Sequence, residues 1–114
     1  MEDCIFCKIA NKQINTELVY ENENVVAFKD INPKAPIHIL IIPKKHITTV
    51  LEIDNTDKEI VSDMYKAVRE IAKKMEIDEK GFRLITNCLE DGGQEVMHLH
   101  MHLLAGKRLP TNIV

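Results

Sequence analysis

Val96-Met97-His98-Leu99-His100-Met101-His102-Leu103-Leu104 alternates almost residue by residue between apolar and imidazole side chains. Successive side chains of a β-strand point to opposite faces. The pattern therefore predicts a strand over 96–104, with Met97, Leu99, Met101 and Leu103 turned to the core. His98, His100 and His102 then line up on the other face at a spacing of ~6.6–6.8 Å. Such a face is either a polar surface with incidental histidines or a chelating set, because two imidazoles two positions apart can reach one metal ion. The spacing alone leaves both open.

Working outward, Gly92-Gly93 opens a tight turn ahead of this strand, and Phe82 to Asn87, entered through Gly81, forms another strand before it. Upstream, Ile60, Met64, Ala67, Val68, Ile71, Ala72 and Met75 recur at spacings of three and four, predicting one long amphipathic helix over 57–75. Thr56-Asp57-Lys58-Glu59 fits a capping box at its start. Ile37 to Ile42 is apolar and β-branched, a buried strand ended by Pro43. Asp30 to Pro36 is loop, since Pro33 and Pro36 cannot continue a central strand. Residues 17–20 and 24–29 form a hairpin around the polar turn 21–23, and residues 5–10 form a short N-terminal helix. The order of elements gives an α+β fold: a five-stranded antiparallel sheet with the long helix on one face. No repeat, linker or low-complexity stretch divides the chain, so residues 1–114 are expected to be a single domain.

Fifteen Lys and Arg against eighteen Asp and Glu give a net charge of −3. That balance argues against a partner held through its phosphate backbone, DNA or RNA, which needs a basic face. The absence of Trp and an aromatic content of 4% remove the stacking platform of a single-strand binder. The longest purely apolar run, Ile39-Leu40-Ile41-Ile42, is far short of the ~20 residues that span a bilayer, so no membrane association is expected. The N-terminus, Met1-Glu2-Asp3-Cys4, carries no basic or apolar export signal, and the expected setting is cytoplasmic. There, three cysteines do not form a disulfide framework. Cys4 and Cys7 form a C-x-x-C pair, which reads as half a metal site, a redox motif or two unligated thiols of a short helix. Cys88 is expected to be a small buried residue.

The stretch from Asp91 to Leu104 resembles the signature of the histidine triad family, His-apolar-His-apolar-His-apolar-apolar. Phe28-Lys29-Asp30-Ile31-Asn32-Pro33-Lys34-Ala35-Pro36-Ile37-His38, continuing to Ile47, is similar to the nucleotide-binding half of the family's Hint branch. Cys4-Ile5-Phe6-Cys7-Lys8-Ile9 resembles the members that carry a cysteine pair. The resemblance covers residues 4–106. It implies a hydrolase acting at the α-phosphorus of a purine nucleotide such as AMP, cleaving nucleoside 5′-monophosphoramidates through a covalent nucleotidyl-histidine.

Residue by residue, the resemblance makes His100 the nucleophile and His102 and Asn87 contacts of the phosphoryl oxygens. His38 is the active-site histidine that orients the nucleophile, and His98 completes the catalytic set. Asp30 accepts the ribose hydroxyls; for the bare sequence it reads as a loop cap. Phe6, Ile9, Phe28 and Ile31 wall the base. Gly93, Gln94, Glu95 and Val96 face the phosphate, the last two through backbone N–H groups. At 95 many Hint-branch enzymes have a serine that hydrogen-bonds the leaving group, and here Glu95 stands instead.

In cysteine-bearing relatives the C-x-x-C pair joins a downstream histidine and the first triad histidine on zinc, which here implies Cys4, Cys7, His46 and His98. Two thiolates and two imidazoles make a closed set, so this is a structural zinc, one per chain, and catalysis needs no metal. The resemblance also implies a homodimer whose sheets join edge to edge. Rival readings are a dinucleoside polyphosphate hydrolase or nucleotidyl transferase of the same family, a nucleotide-binding scaffold with negligible turnover, and a metal carrier using the three histidines.

Overall fold

The computed structural model describes residues 3–114. Met1 and Glu2, part of the acidic start read as lacking an export signal, lie outside them. In chain order the regular elements are α1 (Ile5–Ala10), β1 (Tyr20–Glu21), β2 (Val25–Lys29), β3 (Ile37–Pro43), α2 (Lys58–Lys74), β4 (Arg83–Ile85), α3 (Leu89–Gly92) and β5 (Met101–Ala105). The five strands form one sheet in the order β1-β2-β3-β5-β4, every pair antiparallel. The expected α+β architecture holds.

β2 and β3 read as continuous apolar runs because both faces of the sheet are covered. Val25, Ala27, Ile39 and Ile41 turn to one side and pack with Met64, Ala67, Val68 and Ile71 of α2. Val26, Phe28, Leu40 and Ile42 turn to the other and pack with Phe6, Ile9 and Ala10 of α1. The α2 side is the larger core. Emptying one of its fully buried positions, as in Ile71→Ala, costs about 2–5 kcal/mol. The α1 side is thinner and carries the histidines.

Several expectations shift. The ladder of β5 begins only at Met101, which faces Ile41. Residues 96–100 lie outside the ladder, although the register would set His100 against Ile42 and Leu99 against Pro43, and Leu99 N–H donates to the Ile47 carbonyl (2.6 Å) instead. Leu99, Met101 and Leu103 enter the core as expected, but Met97 is 43% exposed, since no sheet neighbour covers it. β1 and β4 are shorter than the expected strands over 17–20 and 82–87.

The capping box lies two residues upstream of the expected Thr56–Glu59 pairing, between Asp54 and Asp57. Asp54 accepts the Thr56 N–H (2.8 Å), Asp57 accepts the Asp54 N–H (3.2 Å), and a 3₁₀ turn over Asn55–Asp57 leads into α2. The Asp57 carboxylate is also held by Lys45 at 2.7 Å, so it is spent before it can cap α2. Cys88 is half-buried at the N-cap of α3, not a core residue. No helix of the described residues is long and apolar enough to cross a membrane.

Candidate active site and metal centre

The side of the sheet away from α2 carries the triad. In β5 the alternation places His102 opposite Leu103, and the same parity continues through the irregular segment before it. His98 is fully buried, His100 is buried and His102 half-buried.

His98, His100 and His38 each meet a backbone partner whose role as donor or acceptor is not in question, and His102 is fixed through His38. The Pro43 carbonyl, 2.8 Å from His98 Nε2, can only accept, so His98 carries its proton on Nε2 and presents a lone pair at Nδ1. The His98 carbonyl, 2.8 Å from His100 Nδ1, likewise fixes the His100 proton on Nδ1 and leaves Nε2 as a free lone pair. The Lys34 N–H, 3.0 Å from His38 Nδ1, can only donate, so His38 is protonated on Nε2. That nitrogen lies 2.9 Å from His102 Nδ1 and donates to it, which leaves His102 with its N–H on Nε2. The backbone thus sets a nucleophile's lone pair on one ring and a hydrogen-bond donor on the next.

This corrects one expectation: His38 bonds His102, not the ring of His100, which is oriented by the His98 carbonyl. It reaches the site through that neighbour, because His38 pairs with Leu104 across β3 and β5 while His102 faces Leu40. Burial lowers the His38 and His98 pKa values, and burial with two neighbouring histidines pushes His102 down to about 4. These rings are therefore neutral at pH 7, as the tautomers require.

A cavity of about 440 Å³ opens beside them. Phe6, Ile9, Phe28 and Ile31 form an apolar wall, although Ile31 is 92% exposed and only flanks the opening. Asp30, Asn87, Gly93, Glu95 and Val96 line the polar part with His100 and His102. Asp30 is the expected loop cap, its Oδ1 accepting the Asn32 N–H (2.8 Å), while Oδ2 stands 3.5 Å from His38 Nε2 at the cavity.

Gln94 and His98 do not line the cavity. The Gln94 amide is spent on the loop, donating to the Thr48 and Val96 carbonyls and accepting the Leu89 N–H. That bond steadies Leu89 at φ 59°, a left-handed conformation unfavourable for its side chain. Gly93 (φ 75°) caps α3 where a side chain would be strained. α3 itself was not foreseen. Ile5, Ile14, Thr16, Lys29 and Leu40 also line the cavity and were missed. Leu40 was accessible by alternation from His38; the loop residues Ile14 and Thr16 carry no signal.

A larger cavity of about 630 Å³ lies elsewhere, near Lys80, Arg83, Lys107 and Arg108, and contains no histidine or cysteine.

Behind the triad, Cys4, Cys7, His46 and His98 bring four ligand atoms within 4.8 Å of one another. His98 Nδ1 lies 3.3 Å from Cys4 Sγ and 3.5 Å from Cys7 Sγ, and His46 Nδ1 lies 3.2 Å from Cys7 Sγ. The lone pair of His98 points at the two sulfurs, so the donor set fits a soft divalent ion. Burial raises the Cys7 pKa, and a bound cation would favour its thiolate there. Asp30, His38 and His102 also approach within 4.8 Å. A metal on His38 Nε2 would require a proton on Nδ1, facing the Lys34 N–H, so this second set suits a shared proton instead.

The chain belongs to the HIT family: residues 11–109 match the HIT domain. It is 44% identical over 108 residues to the purine nucleoside phosphoramidase of Escherichia coli (strain K12), covering 95% of this chain and 91% of that one. A histidine triad protein from Clostridium difficile superposes with a TM-score of 0.92 at 53% identity, covering 96% of each chain. A HIT family hydrolase from Clostridium thermocellum superposes at 0.94 with 48% identity, covering 100% of this chain and 99% of the other.

Proposed function

We propose that this HIT-family chain hydrolyses purine nucleoside 5′-monophosphoramidates, adenosine first among them, through a nucleotidyl-His100 intermediate. The observation that carries the reading is that His100 and His102 both line one cavity with Nδ1 engaged, by the His98 carbonyl and by His38 Nε2, which implies a free Nε2 lone pair on His100 and an N–H on His102 Nε2. The phosphoramidase relative supports the substrate class.

The base stacks among Phe6, Ile9 and Phe28, and the ribose hydroxyls donate to Asp30. His102, the Asn87 amide and the backbone N–H groups of Glu95 and Val96 surround the phosphoryl oxygens, where charge grows during attack. His100 Nε2 attacks the α-phosphorus; the N–P bond to the enzyme forms as the P–N bond to the amine breaks, and the amine leaves with a proton from solvent. Water then attacks phosphorus, His100 Nε2 recovers its lone pair, and AMP and one proton are released.

Cys4, Cys7, His46 and His98 would hold zinc, which supplies a cross-link and no chemistry at phosphorus. The enzyme is read as a cytoplasmic homodimer. Glu95 offers a carboxylate rather than a hydroxyl to the leaving group, and it disfavours anionic leaving groups.

The test is parallel incubation with adenosine 5′-monophosphoramidate and with diadenosine polyphosphates, following AMP release. Fast release from the phosphoramidate alone supports the reading. Preferential cleavage of the polyphosphates would assign the other branch of the family, and tight AMP binding without turnover would make the chain a scaffold.

A further inference from the structure

Phe6 stands between Cys4, the N-cap of α1, and Cys7 within it. Its ring meets Phe28 edge-on (5.7 Å, 70°) and His100 edge-on (5.2 Å, 84°). Ile5, Phe6 and Ile9 all line the cavity. One short helix with its N-cap residue therefore carries two of the four metal-ligand atoms and a wall of the candidate base site. Six residues are too few to hold a helix without outside support, since isolated helices shorter than ~12–15 residues are marginal. That support comes from the packing of Phe6, Ile9 and Ala10 on β2 and β3, and from the cluster of Cys4 and Cys7 with His46 and His98. Without a cation, the second support is reduced to thiol–imidazole contacts of 3.2–3.5 Å, which are weak.

The nucleophile is held differently. The His98 carbonyl that orients His100 is fixed by the bond of His98 Nε2 to Pro43 and of Leu99 N–H to Ile47. None of these bonds involves a cysteine; this set of contacts meets the cluster only through Nδ1 of His98, and α1 meets His100 only at the edge of Phe6.

We infer that the Cys4–Cys7–His46–His98 cluster is a latch on the base-binding wall: a metal ion bound there sets how tightly the cavity holds nucleotide, while the placement of His100 does not depend on it. The inference rests on the reading of the cavity as a nucleotide site.

The experiment compares the full chain loaded with zinc, stripped by chelator, and stripped then reloaded. AMP affinity is read by calorimetry, and the amides of residues 5–11 by hydrogen exchange. Stripping should weaken AMP binding about tenfold and speed exchange in α1, and reloading should restore both. With adenosine 5′-monophosphoramidate, KM should rise in step while kcat changes by less than about threefold. Cys4→Ser with Cys7→Ser should lock the protein in the stripped behaviour with no response to zinc, whereas Cys88→Ser should behave as the parent. Equal affinity and equal α1 exchange with and without zinc would overturn the latch, and so would a fall in kcat at unchanged KM. AMP binding to none of the forms would overturn the nucleotide reading instead, and α1 exchange would then decide the latch by itself.

Discussion

His38 Nε2 and His102 Nδ1 lie 2.9 Å apart, joined by a hydrogen bond whose direction is imposed from the far side of His38 by the Lys34 N–H. The loop holding Pro33 and Pro36 thereby decides which nitrogen of His102 faces the cavity with a proton.

Removing the donor itself tests this. His102→Ala should lower kcat by about 10²–10³-fold, the usual effect of losing one preorganised donor to a developing oxyanion. His38→Gln should cost less, because it leaves His102 in place but frees its tautomer. Steady-state kinetics on adenosine 5′-monophosphoramidate check both. Equal losses in the two variants would mean that His38 touches substrate directly.

The lowered pKa values give stability a defined pH dependence. In the unfolded chain His38 and His102 titrate near 6.5; in the fold burial holds both lower, His102 at about 4. Between these values the unfolded state binds more protons, so stability falls as pH drops from 6.5 toward 4. Glu21, Asp54 and Asp57, all held below their usual values by hydrogen bonds, add a second decline below about 4. Thermal melts across pH 8 to 4 should show a shallower first decline for His102→Gln than for the parent. Parallel curves would contradict this assignment.

Activity should follow the same rings. Protonated His102 would set two N–H groups face to face with His38, so the acid limb of kcat/KM belongs at or below 6.5. Bound phosphate favours imidazolium, which moves the limb in kcat higher than that in kcat/KM. A pH series at constant ionic strength reads both. A limb in kcat/KM well above pH 7, or identical limbs, would count against the electrostatics described.

Asp30 should discriminate sugars. AMP should bind about tenfold more tightly than its 2′,3′-dideoxy analogue, a gap worth ~1.4 kcal/mol. Asp30→Asn, which retains an oxygen for the Asn32 N–H, should narrow that gap. Calorimetry with both ligands decides, and an undiminished gap would place the ribose elsewhere.

Much of this arrangement was legible in the chain. The alternation of histidine with Leu99, Met101 and Leu103 predicted one imidazole face even though the paired strand begins only at Met101. That face needs only extended backbone, whereas the ladder needs bonded partners, and the Leu99 N–H is bonded to Ile47 rather than to β3. The helix period placed α2 to within a residue or so at each end, but the capping box was misplaced because Thr56 looked like the cap while Asp54 performs it. α3 was hidden because a four-residue turn has no period. The roles of His38 and His98 depended on hydrogen bonds to the carbonyls of Pro43 and His98 and the amide of Lys34. Main-chain partners have no side-chain signature in a sequence.

The most direct measurement concerns His100. Rapid quench of the parent enzyme with adenosine 5′-monophosphoramidate, followed by mass spectrometry of the peptide spanning 96–104, should find adenylate attached to His100 within the first turnover. His100→Ala should bind AMP within about threefold of the parent and turn over at least ~10³-fold more slowly. An unmodified His100 throughout the pre-steady state, or near-normal hydrolysis by His100→Ala, would contradict covalent catalysis at this residue.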